Sequence, residues 1–185
     1  ITWSAMIFLA GLQWRWVFAL GAMGAGGIIS AYFYLPHVTN RFNAFLDPAH
    51  DANYQVNRSI ESFVRGGWFG EGPGEGIVKR RLPDSHTDFV FAVTAEEFGI
   101  LACALILALF AVVVLRGLMH AYREPDSFVR LSLSGLMLMF GGQASINMAV
   151  NLQLMPAKGM TLPFISYGGS SLIAVAIGMG FALAL

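Results

Sequence analysis

Acidic and polar side chains gather just before an apolar run in this sequence. The stretch Leu82–Phe89 reads Leu-Pro-Asp-Ser-His-Thr-Asp-Phe and places His86 and Thr87 beside Asp88. A carboxylate at the mouth of an apolar helix can act as a general base or hold a divalent cation. It can also simply match the helix dipole, with Thr87 or Asp84 as the capping residue. The residues alone leave these roles open.

Two further acids follow inside the apolar run. Glu96 and Glu97 lie two turns beyond Asp88, where an ionisable side chain is costly and usually faces a cavity or a partner. At 100° per residue, Glu96 lies about 80° and Glu97 about 180° around the helix from Asp88. Both can share a site with Asp88 only if the helix is distorted. Pairing of one of them with an arginine of another element is the alternative.

Basic residues stand on both sides of these acids. The run Lys79-Arg80-Arg81 fits a solvated loop, an anchor to anionic headgroups, or a site for pyrophosphate or a similar anion. Lys158 is the only charged residue between Leu131 and Leu185, and it could bind an anion or extend its amine to the membrane interface. The sequence therefore predicts cations near Asp88 without fixing their role.

The elements that carry these residues are apolar. Of 185 residues, 56% are hydrophobic, 11 are basic and 11 are acidic, whereas soluble domains have about 45–50% apolar and about 25% charged residues. The zero net charge argues against a nucleic-acid binder, the apolar content excludes a disordered chain, and the single cysteine, Cys103, excludes a disulfide scaffold. No zinc-ligand spacing or Ser-His-Asp order is present.

Five stretches lack Asp, Glu, Lys and Arg, and most approach the ~18–20 residues that cross a bilayer as a helix. The predicted fold is all-α, a polytopic transmembrane helix bundle of about five spans that forms one membrane domain over residues 1–185. The first stretch is short and begins with Ile, so we expect the chain to be the C-terminal part of a longer protein. The stretches are Ile1–Trp14, Trp16–Asn40, Phe98–Leu115, Leu131–Ala157 and Gly159–Leu185.

The orientation of the bundle follows from its loops. Arg15 and the loop Arg116–Arg130 are assigned to the cytoplasm by the positive-inside rule, which leaves residues 37–88 outside as a large extracytoplasmic loop. This loop holds 13 of the 22 charges. Its residues Val56, Ile60, Phe63 and Val64 recur at helical spacing and predict an amphipathic helix on the membrane surface or on the bundle. The alternating glycines that follow fit no phosphate-binding motif and predict a turn-rich loop.

The last two apolar runs carry polar side chains. Gln143, Asn147 and Asn151 recur at i, i+4 and i+8, so one helix face is polar and serves either as interhelical glue or as a cavity wall. Ser166 and Ser170 lie in a stretch of small residues, which on composition alone indicates close helix packing.

Two motifs resemble one family closely. Leu82–Phe89 followed by Ala95-Glu-Glu-Phe-Gly99, together with Pro156–Ser171, resembles the SEDS family of cell-wall synthases (shape, elongation, division and sporulation). The glycine stretch from Gly66 and the presence of Lys158 look like its division branch rather than its elongation branch. The resemblance implies a fragment of a ten-span fold. It also implies a peptidoglycan glycosyltransferase that polymerises lipid II at the outer face of the membrane and releases undecaprenyl diphosphate.

The resemblance also assigns roles to residues. The family's essential aspartate matches Asp88, which would be the general base or would hold a divalent cation, Mg²⁺ or Mn²⁺; no organic cofactor is expected. A cation beside the donor would offset the charge of the leaving diphosphate. The residues expected to bind substrate are Lys158, His86, Thr87, Glu97, Lys79, Arg80, Ser166 and Ser170.

Two other functions remain alternatives for the same residues. A lipid II flippase should carry polar groups across the whole bilayer depth, whereas the ionisable groups here cluster at one face. A non-catalytic division scaffold would not need Asp88. The resemblance implies as partners lipid II, a class B penicillin-binding protein transpeptidase and other membrane proteins of the division complex. The implied location is the bacterial plasma membrane at the division septum.

Overall fold

The computed structural model describes residues 4, 6–7, 11, 13–46, 54–156 and 159–185, and within these residues it contains helices and turns but no strand. The predicted all-α class is therefore confirmed. Two compact units, residues 1–53 and 54–185, are described separately. The first contains helices α1 (Trp14–Tyr34) and α2 (Pro36–Leu46); the second contains α3 (Tyr54–Gly66), a 3₁₀ turn (Val78–Arg80), α4 (Val90–Arg123), α5 (Ser127–Asn151) and α6 (Gly169–Ala184).

Three helices in the described part of the chain are long and apolar enough to cross a membrane: α1, α4 and α5. Helix α6 is apolar but has 16 residues. The first predicted span, Ile1–Trp14, falls mostly outside the described residues. Helix α4 has 34 residues, so it is about 51 Å long and exceeds a ~30 Å hydrocarbon core. One end of α4 must therefore project beyond the lipid.

Helices α4 and α5 form the core of the second unit. Their contact is apolar, and Cys103 is buried within it, as expected for a cysteine that only packs. Leu162, from the segment between α5 and α6, completes this cluster. The buried members of the cluster are Phe91, Ala95, Cys103, Ala144, Met148 and Leu162.

Helix α3 lies on the bundle through small residues. Ser59 and Ser62 are fully buried, and a β-carbon added to Gly66 would lie only 1.9 Å from the carbonyl oxygen of Ala95 in α4. Val64 is 76% exposed, so this member of the apolar face does not pack on the bundle. A stripe of Ser and Gly lets the two backbones approach closely, which a stripe of branched side chains would prevent.

Helix α4 is broken at Gly99, which has φ 79° and ψ 178°. Only glycine adopts this conformation readily. The glycine-rich loop after α3 replaces the helical hydrogen bonds that the break removes. Glu71 and Gly72 N–H groups donate to the carbonyls of Glu96 (2.9 Å) and Glu97 (3.1 Å), and Ile100 N–H donates to the carbonyl of Gly67 (2.9 Å).

The close contact of this loop with α4 explains why the run is rich in glycine. Gly67, Gly70, Gly72 and Gly74 all have positive φ, as the turn-rich prediction requires. A β-carbon on Gly70 would lie 2.2 Å from the Glu97 carbonyl oxygen. Backbone at membrane depth must be hydrogen-bonded within the protein. The loop therefore pairs backbone groups that the break in α4 would leave without a hydrogen bond.

Candidate active site

The segment that carries Asp88 is a tight turn before α4. Asp84 adopts a positive φ of 55°, which aspartate tolerates better than most residues. Its carbonyl accepts hydrogen bonds from the N–H groups of Thr87 and Asp88, both at 3.1 Å, and from the Thr87 hydroxyl at 3.2 Å. Helix α4 starts at Val90 with no side-chain cap, so the expectation that Asp88 sits in its first turn is wrong. The Thr87 hydroxyl, which could have capped the helix, is instead bonded to the Asp84 carbonyl within the turn.

The backbone of Asp88 is held from α5. Asn147 and Asn151 both donate to the Asp88 carbonyl, at 2.8 Å and 3.0 Å. Asn151 also accepts a hydrogen bond from Ala92 N–H in α4, at 3.1 Å, and its own carbonyl accepts one from the Ser59 hydroxyl of α3. These side chains are almost completely buried. The polar stripe therefore acts as glue between three helices, one of the two alternatives that the sequence left open.

The Asp88 carboxyl is partly exposed, and its pKa is raised above the ordinary value of 3.8. Burial is the larger cause, and the nearby Asp84 carboxylate is the second. Because the charged form is disfavoured, this carboxylate holds a proton more tightly than a solvated aspartate does. A raised pKa makes the deprotonated carboxylate a stronger base than a solvated aspartate.

The second motif packs against this turn. Tyr167 N–H donates to the carbonyl of His86 at 2.9 Å. The backbone of Gly159 lies beside the Asp88 carboxylate, since a β-carbon added there would be 3.0 Å from Oδ2. The two motifs thus meet at Asp88, although Asp88 and Gly159 are 71 residues apart in the sequence.

Glu96 and Glu97 serve different partners. Glu96 is fully buried, and its carboxylate accepts the N–H groups of Ile77 (2.7 Å), Val78 (2.7 Å) and Lys79 (3.0 Å). Glu97 forms an ion pair with Lys79. The two acids fix the 3₁₀ turn and its basic residues onto α4, and neither carboxylate is shown in contact with Asp88. The expected pairing of one acid with a cation is found, with lysine instead of arginine.

The remaining predicted site residues have varied surroundings. His86 and Arg80 are exposed, and Ser170 is exposed in the first turn of α6. The Ser166 hydroxyl is buried and accepts a hydrogen bond from Leu162 N–H at 2.8 Å, which shapes its own turn. Lys158 lies outside the described residues. The substrate roles of these residues stay predictions.

Carboxylates suited to a divalent cation are few at this site. Among the described residues no group of three His, Cys, Asp or Glu side chains could hold a metal ion. Asp88 and Asp84 supply two carboxylates, and Mg²⁺ is often bound by one or two carboxylates plus substrate phosphates. These residues would be its ligands, and the ion would offset charge on a phosphate group. The divalent cation stays a prediction.

A cavity of about 610 Å³ lies at the other end of α4, α5 and α6. It is lined partly by Arg116, His120 and Arg123, and it contains none of the predicted site residues. The chemistry at Asp88 is therefore at the opposite end of the bundle from this cavity.

Sequence reasoning noticed Asn147, Asn151 and Glu96 but assigned none of them to the site. The i, i+4 spacing of the amides signalled a shared face, yet it did not reveal which carbonyls they would bind. The closeness of Gly159 to Asp88 had no sequence signal beyond its place in a small-residue motif. Gly99, a lone glycine after two acids in an apolar run, was the available sign of the helix break.

Comparison with known proteins gives consistent matches over the whole chain. The profile of the FtsW/RodA/SpoVE family, described as "Cell cycle protein", matches residues 1–185. A protein of Caulobacter vibrioides named "Probable peptidoglycan glycosyltransferase FtsW" is 46% identical over 100% of this chain and 47% of its own length. A Legionella pneumophila protein of the same name is 42% identical over 93% of this chain and 45% of its own length.

Two solved structures are also similar. One, described as "Structural coordination of polymerization and crosslinking by a peptidoglycan synthase complex", has a TM-score of 0.78 and 36% identity, covering 96% of this chain and 50% of that one. The other is a mutant of the rod shape determining protein RodA of Thermus thermophilus, with a TM-score of 0.54 and 30% identity, covering 96% of this chain and 60% of that one. The chain spans about half the length of the curated relatives it matches.

Proposed function

The chain belongs to the FtsW/RodA/SpoVE family of cell cycle proteins, and on that basis we propose that it is part of a peptidoglycan glycosyltransferase that polymerises lipid II. Relatives named as probable peptidoglycan glycosyltransferases support this class. This chain spans about half the length of its relatives. The complete substrate groove would be carried by the full-length protein.

In the proposed reaction Asp88 is the general base. Its carboxylate takes the proton from the acceptor sugar hydroxyl, whose oxygen attacks the anomeric carbon of the donor. The bond between that carbon and the diphosphate oxygen breaks, a β-1,4 linkage forms, and undecaprenyl diphosphate leaves. Negative charge develops on the leaving diphosphate, so nearby cations lower the barrier. Lys158 and Arg80 are the proposed cations, because Lys79 is already paired with Glu97.

One observation carries this proposal. The Asp88 carboxylate is partly exposed just before the N-terminal end of the candidate span α4, has a raised pKa, and lies where the two sequence motifs meet. An acid with a purely structural role would be expected in the first turn of α4, where the helix dipole stabilises the carboxylate and lowers its pKa. The position and the raised pKa of Asp88 both favour proton transfer over a capping role.

The test is polymerisation of purified lipid II by the full-length protein in detergent. Asp88→Asn keeps the size of the side chain but removes the base, so we expect glycan strands to disappear. Glu75→Gln is the control, because it removes an exposed carboxylate that has no part in the proposed site. Normal polymerisation by the Asp88→Asn enzyme would exclude the proposed role. A flippase would move lipid II across the membrane of a vesicle and would make no glycan strands.

We propose the bacterial plasma membrane as the location, with Asp88 at the extracytoplasmic face and the protein at the division septum. We propose a class B penicillin-binding protein as the partner. A similar structure is described as a peptidoglycan synthase complex that coordinates polymerization and crosslinking, which supports a pairing of the two activities. Co-purification of the full-length protein with that transpeptidase from membranes tests the pairing.

A further inference from the structure

Asn147 contacts both motifs that meet at Asp88. Its side-chain amide donates to the Asp88 carbonyl at 2.8 Å and to the Met160 carbonyl at 2.5 Å. Met160 follows Gly159, whose backbone lies against the Asp88 carboxylate. A single amide nitrogen therefore joins the turn before α4 to the segment that follows Lys158.

Its neighbours on the stripe bind elsewhere. Gln143 donates to the Thr161 carbonyl at 3.0 Å and to the Ser171 hydroxyl, and neither contact reaches the turn of Asp88. Asn151 donates to the Asp88 carbonyl but also accepts a hydrogen bond from Ala92 N–H, so its substitution would disturb α4 as well as the turn before it. Asn147 is the residue whose contacts bear most specifically on the spacing of the two motifs.

We propose that Asn147 is a positioning residue that sets the distance between the Asp88 carboxylate and the Gly159–Met160 backbone. This inference rests on the proposed function, since it assigns Asn147 to the geometry of that reaction. Asn147 is 1% exposed, so it holds both carbonyls without reaching the solvent-facing side of the carboxylate. Substrate would therefore meet Asp88, and Asn147 would act only through it.

Gly159 gives a second observation for the same spacing. A β-carbon at Gly159 would lie 3.0 Å from Asp88 Oδ2, which is closer than ordinary van der Waals contact. Any side chain there must push the carboxylate or the loop away by a few tenths of an ångström. The site thus combines an amide that pulls the two segments together with a glycine that lets them touch.

The experiment measures kcat and KM for lipid II in the full-length protein. We expect Asn147→Ala to lower kcat by about tenfold to a hundredfold, the loss typical of a misplaced catalytic group, with KM changed by less than about threefold. Gln143→Ala is the control, because it also removes an amide from the stripe of α5, a partly buried one that does not contact the turn of Asp88. Its kcat should stay within about threefold of wild type, since the spacing at Asp88 is intact.

Two results would overturn the proposal: a kcat loss in Asn147→Ala no larger than in Gln143→Ala, or a loss that appears only in KM. If Asn147→Ala does not fold, Gly159→Ala decides, because Gly159 is exposed and its substitution leaves the core untouched. We expect its kcat to fall several-fold with an unchanged unfolding temperature, and an unchanged kcat would contradict the proposal. Asp88→Asn is assayed alongside, so that failure of the proposed function is recognised separately.

Discussion

Glu96 offers the sharpest structural prediction, because one buried carboxylate holds three backbone N–H groups. Oε1 accepts the N–H groups of Ile77 and Val78, and Oε2 accepts that of Lys79. Glu96→Gln keeps the shape and one oxygen. It replaces the other oxygen by an amide NH₂, which then faces the Lys79 N–H donor.

The magnitude follows from these contacts. One charge-assisted hydrogen bond is lost, worth about 1.5–3 kcal/mol, and a buried N–H is left unpaired. The other two bonds weaken from charged to neutral strength, whereas the cost of burying a charge is relieved. A β-carbon on Gly76 would lie 2.9 Å from the Glu96 carboxylate, so the new amide has little room to turn away. We expect the 3₁₀ turn to be held about 3 kcal/mol less tightly to α4.

Hydrogen exchange of the full-length protein measures this directly. The amides of residues 77–79 should exchange roughly a hundredfold faster in Glu96→Gln, since about 1.4 kcal/mol corresponds to tenfold. Glu97→Gln is the control, because it removes the neighbouring acid, whose partner is the partly exposed Lys79 side chain. Its effect on these amides should be less than tenfold. Equal exchange in wild type and Glu96→Gln would refute the role given to the buried carboxylate.

Three further predictions concern the helix break, pH and metal. Gly99→Ala should lower the free energy of unfolding by about 3 kcal/mol or more, because its β-carbon would lie 2.3 Å from the Trp68 carbonyl oxygen in a backbone conformation that alanine avoids. Gly142→Ala is the control and should not destabilise, because its β-carbon meets nothing within 4 Å. An equal loss in both variants would contradict the role given to the break at Gly99. The base must be deprotonated to act and its pKa is raised, so kcat/KM should rise with pH through a midpoint above 3.8. Asp84→Asn removes one cause of the shift and should move that midpoint to lower pH, and an unmoved midpoint would reject Asp88 as the titrating group. If Asp88 instead holds a divalent cation, chelation with EDTA should abolish polymerisation and Mg²⁺ or Mn²⁺ should restore it, whereas full activity in EDTA would exclude that alternative.

The helical class and the apolar spans were predictable because they depend on composition and run length alone. The buried face of α3 was not predictable, because its serines would be assigned to the polar face of an amphipathic helix. Val64 was placed on the apolar face by its spacing, yet the face that packs on the bundle consists of Val56, Ser59, Ser62 and Gly66, and Gly66 lies against Ala95. Hydrophobicity identified an amphipathic helix, and the steric demands of its neighbour determined which face is buried.

The candidate site was predictable in its residues but not in their contacts. Asp88 was identified from its motif, while its raised pKa depends on burial and on Asp84, which only the folded turn brings together. The angles of Glu96 and Glu97 were counted from Asp88 as a helical residue, whereas α4 starts only at Val90. Each acid finds its own partner in the loop between α3 and α4. Long-range contacts of this kind have no local sequence signal.

Polymerisation of lipid II by the full-length protein with Asp88 replaced by Asn is the most direct test of the central claim. The variant should fold as wild type does, with the carbonyl of residue 88 still bound by Asn147 and Asn151. We predict no glycan strands from it, alongside normal strands from wild type and from the Glu75→Gln control. Strands formed at the wild-type rate by Asp88→Asn would contradict the account.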